Sequence, residues 1–249
     1  MTGKAILVLK TGEAPASVKA EYGDFEEWIA RGLECAVEEL EVARVYQGDA
    51  LPAASDVGGV IITGSPAMVT ERADWSEASA RWLGALVRED ATPVLGLCFG
   101  HQLLAHALGG EVGSNPNGRE MGTFEVTFVG TAEDGDGQSV DGLAPLFERG
   151  AFPGHFSHLE AVLRPPPGAR VLARTALDPH SAIEYGPRQW GVQCHPEFDI
   201  AILRRYVEAR REVLVQEGLD PDAMIESATP TPMISRVMAR FAEFVSNES

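Results

Sequence analysis

The first half of the chain alternates between short continuous apolar runs and segments whose apolar residues recur at helical spacing. Continuous runs of this length predict buried parallel strands, and helical spacing predicts amphipathic helices. The intervening segment 11–23 carries glycines and a proline and is predicted to be a loop. Strands that alternate with helices indicate an α/β fold with a doubly wound, mostly parallel sheet and helices on both faces. The predicted strands are 5–9, 41–46, 57–63 and 94–97, and the predicted helices are 25–33, capped by Asp24, and 74–89.

The second half of the chain has a more mixed pattern. Helical spacing of apolar residues returns over 199–215 and 233–245. We therefore expect one domain over residues 1–200 and a helical C-terminal extension over 201–249 that packs on the same domain. The predicted strands of this half are 123–128, 171–175, 181–185 and 189–194, the last two joined as a hairpin through Gly186 and Pro187.

An acidic, glycine-rich segment over 131–142 lies between these strands. Its residues Asp134, Asp136 and Asp141 have a spacing faintly like that of a calcium-binding loop. Ser139 stands at the position where that loop needs glycine, so we expect no metal site there.

One stretch, residues 93–110, combines a strand pattern with a helix pattern. The apolar run ends in Gly96-Leu97-Cys98-Phe99-Gly100, and a helical pattern follows directly. Glycines two residues on either side of a nucleophile are typical of a nucleophile elbow, because they leave room for a sharp turn. A helix N-terminus also stabilises a thiolate, and the amide of Phe99 would face an oxyanion on a carbon attacked by Cys98. The alternative is that Cys98 is a small buried apolar residue.

A cysteine nucleophile needs a base and a group that orients the base. His195 directly follows the predicted strand 189–194, and Glu197 stands two residues further on, after Pro196. An extended backbone would put the two side chains on the same side, so that Glu197 could hold one ring nitrogen while the other faces Cys98. The alternative is a capping histidine followed by the first residue of a solvated helix.

The charge and the cysteine content of the chain limit which binding partners and which cellular compartment we expect. The chain has 37 acidic residues against 20 Lys and Arg, a formal net charge of -17, which disfavours binding to nucleic acid or to an anionic membrane. Three cysteines are too few for a disulfide framework. The sequence has no signal-peptide pattern and no apolar stretch that could span a bilayer, so we expect a cytoplasmic protein.

The elbow and the His-Pro-Glu tripeptide together resemble the class I, triad-type glutamine amidotransferases. That family carries Gly-x-Cys-x-Gly-His-Gln at the nucleophile and His-Pro-Glu later in the domain, and residues 96–102 and 195–197 match both in the same order. Residues 64–66, Gly-Ser-Pro, resemble its Gly-Gly-Pro oxyanion loop with one serine substituted. Residues 119–122, Arg-Glu-Met-Gly, and 157–158, Ser-His, are similar to the amidotransferase domain of GMP synthetases.

This resemblance implies a mechanism and a set of site residues. Cys98 would attack the side-chain amide of glutamine to form a γ-glutamyl thioester, and His195, oriented by Glu197, would protonate the leaving ammonia and then activate water. No cofactor or metal is implied, and His158 is as readily a loop residue without a chemical role. The implied oxyanion donors are the amides of Gly64, Ser65 and Phe99, and the implied contacts to the amino-acid end of the substrate are Gln102 and the backbone around Ser157 and Leu159.

Three functions remain open from the sequence. The first is a free-standing hydrolase or amidotransferase that acts on glutamine or a γ-glutamyl compound. The second is a glutaminase subunit that feeds ammonia to a separate synthetase, since the sequence contains neither a Ser-Gly-Gly-x-Asp-Ser pyrophosphatase loop nor a Walker A motif. The third is a non-catalytic relative that binds a ligand or partner, which the complete set of triad residues disfavours.

Overall fold

The computed structural model describes residues 4–89, 92–129 and 150–247. The acidic segment considered as a calcium loop, with Asp134, Asp136, Ser139 and Asp141, lies outside the described residues. The strands are β1 Ile6–Lys10, β2 Glu41–Arg44, β3 Gly59–Ile62, β4 Val94–Leu97, β5 Glu111–Ser114, β6 Glu120–Phe128, β7 Ala151–His158, β8 Glu160–Arg164, β9 Arg170–Arg174, β10 Ala182–Gly186 and β11 Gln189–Val192. The helices are α1 Ala16–Tyr22, α2 Phe25–Gly32, α3 Asp74–Glu89, α4 Phe99–Ala107, α5 Ile200–Ala209, α6 Arg211–Gln216, α7 Pro221–Glu226 and α8 Pro232–Asn247.

The main sheet has the strand order β2-β1-β3-β4-β11-β10-β9-β6-β7. The strands from β2 to β11 in this order are parallel to one another, and the remaining neighbours pair antiparallel. Strands β5 and β8 form a separate two-stranded sheet. The predicted α/β fold class is confirmed, and so is the predicted hairpin of β10 and β11. The pairing of β4 with β11 matters most for the site, because it sets the carboxyl ends of two distant segments side by side.

The parallel strands are apolar throughout because both of their faces are covered. Leu7 and Leu9 point into one core together with α3 and α4, whereas Val8 between them points into a second core with α2 and α8. Strand β3 divides in the same way, with Ile61 in the second core. This alternation between two cores explains why the sequence showed continuous apolar runs and no polar face.

The C-terminal helix α8 contributes five buried residues to the core that contains β1, β3 and β4. Phe241 is fully buried there, and two of its ring carbons lie 3.5 Å from the place that a side chain at Gly59 would occupy. Helix α5 contacts α1 and α7 instead. The division of the chain at residue 200 stays a prediction. None of the helices in the described ranges is long and apolar enough to cross a membrane.

Several elements differ from the sequence-based prediction. Segment 11–23, predicted to be a loop, contains the helix α1, in which Val18 is the fully buried residue. With a single buried residue among the seven of α1, the sequence shows no helical repeat of apolar positions. Strand β7 was not predicted, since its sequence includes Pro153 and Gly154 and lacks apolar alternation. It forms through pairing with β6 over eight residues, which is a tertiary interaction. The elements β5, β8 and α7 were also missed.

We predict that Phe241→Ala lowers the free energy of unfolding by about 3–5 kcal/mol, because it removes a buried aromatic ring and leaves a cavity. The measurement is urea unfolding followed by circular dichroism. Arg240→Ala is the matched control on the same helix, since its exposed ion pair with Glu243 contributes at most about 1 kcal/mol. Equal effects of the two substitutions would contradict the packing of α8 described here.

Candidate active site

Cys98 lies at the turn between β4 and α4 in a conformation that side chains rarely adopt. Its φ is 50° and its ψ is -102°, and such backbone strain costs on the order of 1–3 kcal/mol. Both flanking glycines are required by close packing. A Cβ at Gly96 would lie 2.5 Å from the carbonyl oxygen of Gly100, and a Cβ at Gly100 would lie 2.5 Å from that of Ile62. The strand-to-helix turn predicted from the glycine spacing is therefore present.

His195 follows β11 and faces the same end of the sheet as Cys98. The amide of Cys98 donates to the carbonyl of Val192 at 2.9 Å, which ties the elbow to the end of β11. The amide of His195 donates to the carbonyl of His155 at 2.8 Å. Its ring stacks on Phe198 with a centroid distance of 4.1 Å and an interplanar angle of 14°. These contacts fix the plane of the imidazole.

Glu197 holds one nitrogen of that imidazole. The Nδ1 of His195 lies 2.7 Å from Oε1 of Glu197, and both side chains are almost completely buried. The Nε2 of His195 is also buried but makes no hydrogen bond of normal geometry within the described ranges. The Sγ of Cys98 instead donates a weak hydrogen bond, 3.8 Å long, to the carbonyl oxygen of Ser157. The free Nε2 is thus the ring atom left for chemistry.

The electrostatics of this cluster favour an imidazolium. Burial alone would lower the pKa of His195, but the Glu197 carboxylate and the Cys98 sulfur outweigh it and raise the pKa to about 10. Cys98 is therefore close enough to act on the imidazole, although no Sγ–Nε2 hydrogen bond of normal geometry is present among the described residues. For the neighbouring His155, burial and the His195 charge lower the pKa to about 4, so that residue stays neutral.

The predicted oxyanion donors belong to two segments, the first residue of α4 and the loop that contains Gly64 and Ser65. Phe99 is the first residue of α4, where no preceding helical carbonyl is available to its amide. The amides of Gly64 and Ser65 make no hydrogen bond to the part of the chain that the structure describes. A Cβ at Gly64 would lie 3.1 Å from Cε1 of His195, so this loop lies directly against the imidazole. Ser65 holds the loop through its Oγ, which donates to the carbonyl of Thr11 at 2.7 Å.

An open cleft with an empty volume of about 360 Å³ leads to Cys98. The predicted substrate contacts Gln102, Ser157 and Leu159 all line it. The side-chain amide of Gln102 donates to the carbonyl of Glu160 at 2.6 Å and to Oε1 of Gln193 at 3.0 Å, which fixes its orientation. The full lining is Ser65, Pro66, Ala67, Met68, Cys98, Phe99, Gln102, Arg119, Ser157, His158, Leu159, Glu160 and Arg210.

His158 belongs to a buried polar network beside the cleft. Its Nε2 lies 2.8 Å from a carboxylate oxygen of Glu120, and its Nδ1 lies 2.9 Å from the carbonyl oxygen of Glu160. His158, Glu120 and Asp178 each have a possible metal-ligand atom, and these three atoms lie within 4.8 Å of one another. Both imidazole nitrogens already have partners, and burial raises the pKa of Asp178, which disfavours the anionic form that a cation needs. We interpret the cluster as a hydrogen-bonded support for the segment that carries Ser157 and Leu159.

Comparison with known proteins identifies the family. The sequence profile of the family Glutamine amidotransferase class-I matches residues 18–207. The chain belongs to this family. A curated relative, the glutamine-hydrolyzing GMP synthase of Aeropyrum pernix, is 41% identical over 210 residues, which are 82% of this chain and 36% of the relative. One subunit of the glutamine-hydrolyzing GMP synthase of Ignicoccus hospitalis is 40% identical over 123 residues, 49% of this chain and 55% of that relative.

The chain thus spans about a third to a half of the length of these two relatives. A crystal structure of a glutamine amidotransferase from Thermotoga maritima matches with a TM-score of 0.75 and 19% identity, covering 98% of this chain and 99% of that one. At that identity the likeness concerns the fold. The amidotransferase fold therefore extends over nearly all of the chain, beyond the residues matched by the family profile.

Two arginines of the cleft were not singled out by sequence. Arg119 was noticed only as part of a motif, and the structure holds it by two hydrogen bonds to Glu217, of 2.7 Å and 2.8 Å. Arg210 follows the last residue of α5 and had no signal at all, because it is one charged residue among several on an amphipathic segment. Phe198, which stacks on His195, was also missed.

We predict that Glu197→Gln lowers the pKa of His195, because the carboxylate is the largest of the influences that raise it. Titration of the imidazole by ¹⁵N NMR should give a midpoint near pH 10 in the unsubstituted protein and a lower one in the variant. Since the folded pKa exceeds the ordinary value of 6.5, the stability from this protonation is full below pH 6.5 and is lost as the pH rises through about 10.

Glu77→Gln is the control for this titration. Glu77 also carries a carboxylate 2.9 Å from a histidine nitrogen, that of His106, but the pair lies away from the cleft. The His195 midpoint should not move in this variant. An unchanged midpoint in Glu197→Gln as well would contradict the assigned role of the carboxylate.

Proposed function

We propose that the chain hydrolyses the side-chain amide of glutamine, or of a γ-glutamyl compound, through a γ-glutamyl thioester on Cys98. The observation that carries the proposal is the 2.7 Å contact between Glu197 and Nδ1 of His195. This contact leaves the buried Nε2, which has no hydrogen bond of normal geometry among the described residues, beside a cysteine at a nucleophile elbow. Membership of the class-I glutamine amidotransferase family supports the same chemistry. The catalytic residues of the proposal are Cys98, His195 and Glu197.

In the first half-reaction the Cys98 thiolate attacks the amide carbon of the substrate side chain. The carbonyl π electrons move to the oxygen, and the amides of Gly64, Ser65 and Phe99 stabilise the resulting oxyanion. When the carbonyl re-forms, the carbon–nitrogen bond breaks and the imidazolium of His195 donates its Nε2 proton to the leaving nitrogen. Ammonia, or an amine from a γ-glutamyl compound, is released and the thioester remains.

In the second half-reaction water attacks the thioester carbon. Neutral His195 now accepts a proton from the water through Nε2, while the same amides stabilise the second oxyanion. The carbon–sulfur bond breaks, glutamate leaves, and the thiolate and imidazolium are restored. Glu197 keeps the imidazole in the orientation that both transfers need and stabilises its cationic form. No metal ion or cofactor takes part in these steps.

A second candidate function is that of a glutaminase subunit whose ammonia passes to a separate synthetase. The Ignicoccus relative favours it, because its name describes it as one subunit of a GMP synthase. A docking face would need exposed apolar surface. Four residues of α8, Ile234, Val237, Met238 and Phe241, do not supply that surface, because they are at most 1% exposed. The large apolar residues of the described C-terminal segment that are exposed are Val213 and Val215 of α6. We therefore propose turnover without a partner and keep the subunit function as the alternative.

The nucleophile is tested by covalent labelling. A diazo-ketone analogue of glutamine should add one label per chain, and peptide mapping by mass spectrometry should find it on Cys98. The other cysteines serve as internal controls, since burial raises the pKa of the Cys194 thiol well above its usual range and also raises that of Cys35. A label on either of them, with Cys98 unmodified, would make the assignment wrong.

The activity is tested by steady-state kinetics on the isolated chain with glutamine and a panel of γ-glutamyl peptides. We expect release of glutamate with ammonia or amine. Glu197→Gln should lower kcat by about 10²–10⁴-fold and leave KM nearly unchanged, because it removes an interaction that counts mainly in the transition state. Trace rates with every substrate, alongside normal labelling of Cys98, would instead favour the subunit function.

A further inference from the structure

The cleft contains a cation that the proposed chemistry does not use. Arg210 caps the C-terminus of α5 and lines the cleft together with Cys98, Gln102 and Ser157. Its Nε is buried and has no hydrogen-bond partner among residues 4–89, 92–129 and 150–247. Arg210 also lies beyond residues 18–207, the part of the chain that matches the family profile. The C-terminal segment thus brings its own charged group to the site.

A buried N–H without a partner, such as the Nε of Arg210, is costly, since a desolvated polar group normally has a hydrogen bond. An acidic side chain next to Arg210 would remove this cost, and the chain carries 37 acidic residues. Glu217 is an acidic residue that acts electrostatically on Arg210, and both of its carboxylate oxygens are already held by Arg119. The neighbouring carboxylate is therefore engaged elsewhere, and Arg210, which lines the cleft, keeps an Nε donor without a partner among the described residues.

The shape of this group indicates its ligand. A guanidinium presents a planar fork of N–H donors that matches the two oxygens of a carboxylate. Any γ-glutamyl substrate has an α-carboxylate, and a γ-glutamyl amino acid has a second carboxylate on the group that leaves. We propose that Arg210 binds a carboxylate of the substrate and thereby makes the C-terminal segment part of the substrate site. The identity of the substrate class rests on the proposed function.

The kinetic test compares substrates that differ in one carboxylate. If Arg210 binds the α-carboxylate, Arg210→Met should raise KM for glutamine by about 10- to 100-fold and change kcat little. This is the loss of affinity expected when one charge-assisted hydrogen bond is removed. KM for the α-amide of glutamine should then stay the same. For a carboxylate on the leaving group, the loss should appear with γ-glutamylglycine and be absent with γ-glutamylmethylamide. Either pattern supports the proposal, and Arg210→Lys should recover part of the affinity.

Arg211→Met is the matched control. It removes the same charge one residue further on, where the guanidinium is exposed and pairs with Glu208 and Asp222 outside the cleft. Its KM values should equal those of the unsubstituted protein. An equal loss with all four substrates in Arg210→Met, or no loss with any of them, would overturn the proposal, because neither result depends on a carboxylate.

A binding measurement separates this inference from the proposed hydrolysis. Calorimetry with γ-glutamylglycine, which carries both candidate carboxylates, and the Cys98→Ala protein needs no turnover, and the added Arg210→Met substitution should weaken binding by a similar factor. If no substrate is hydrolysed but γ-glutamylglycine binds in an Arg210-dependent way, the hydrolase proposal fails and the carboxylate site stands. If hydrolysis occurs and γ-glutamylglycine binds equally well with and without Arg210, the carboxylate site is wrong.

Discussion

The crowding around the elbow is the constraint on which the rest of the site depends. The backbone of Gly100 leaves no room for a side chain at Gly96, Ile62 leaves none at Gly100, and the chain leaves β4 by a sharp turn. Cys98 takes the left-handed φ of 50° that this turn imposes. The strain is offset by the packing of β4 and α4 in the core, which holds the sulfur at a helix N-terminus. Replacing either glycine would alter the position of the Cys98 sulfur.

The order of the strands in the sheet places His195 next to Cys98. Strands β4 and β11 are far apart in sequence, yet they are parallel neighbours whose last residues, Leu97 and Val192, are in register. Side chains that follow the carboxyl ends of adjacent parallel strands necessarily meet at one edge of the sheet. That edge brings together Cys98 and His195, and the stacking of Phe198 on the imidazole fixes its plane. A topology that separated these two strands would leave both motifs intact and bring no base to the sulfur.

Features of the fold and of the site could be predicted from the sequence where residues close together in the chain determine them. The elbow and the His-Pro-Glu tripeptide are short, and their geometry depends on glycine, proline and residue spacing, so the sequence was sufficient for both. Strand β7 depends on a partner, β6, and helix α1 has a single fully buried residue, so neither has a period of its own. Arg210 is the extreme case, since only the fold reveals that one of several helical arginines faces the cleft.

The cleft contains a positive charge, that of Arg210, although the chain as a whole is strongly acidic. A net charge of -17 repels anions at long range, so an anionic end of a substrate gains nothing from the overall field. Any such gain must come from charges at contact distance, where salt and water screen them least. Arg119 is neutralised by Glu217, whereas the Nε of Arg210 has no hydrogen-bond partner in the part of the chain that the structure describes. Recognition by one short-range contact would confine the attraction to the cleft, and the acidic surface would disfavour anions everywhere else.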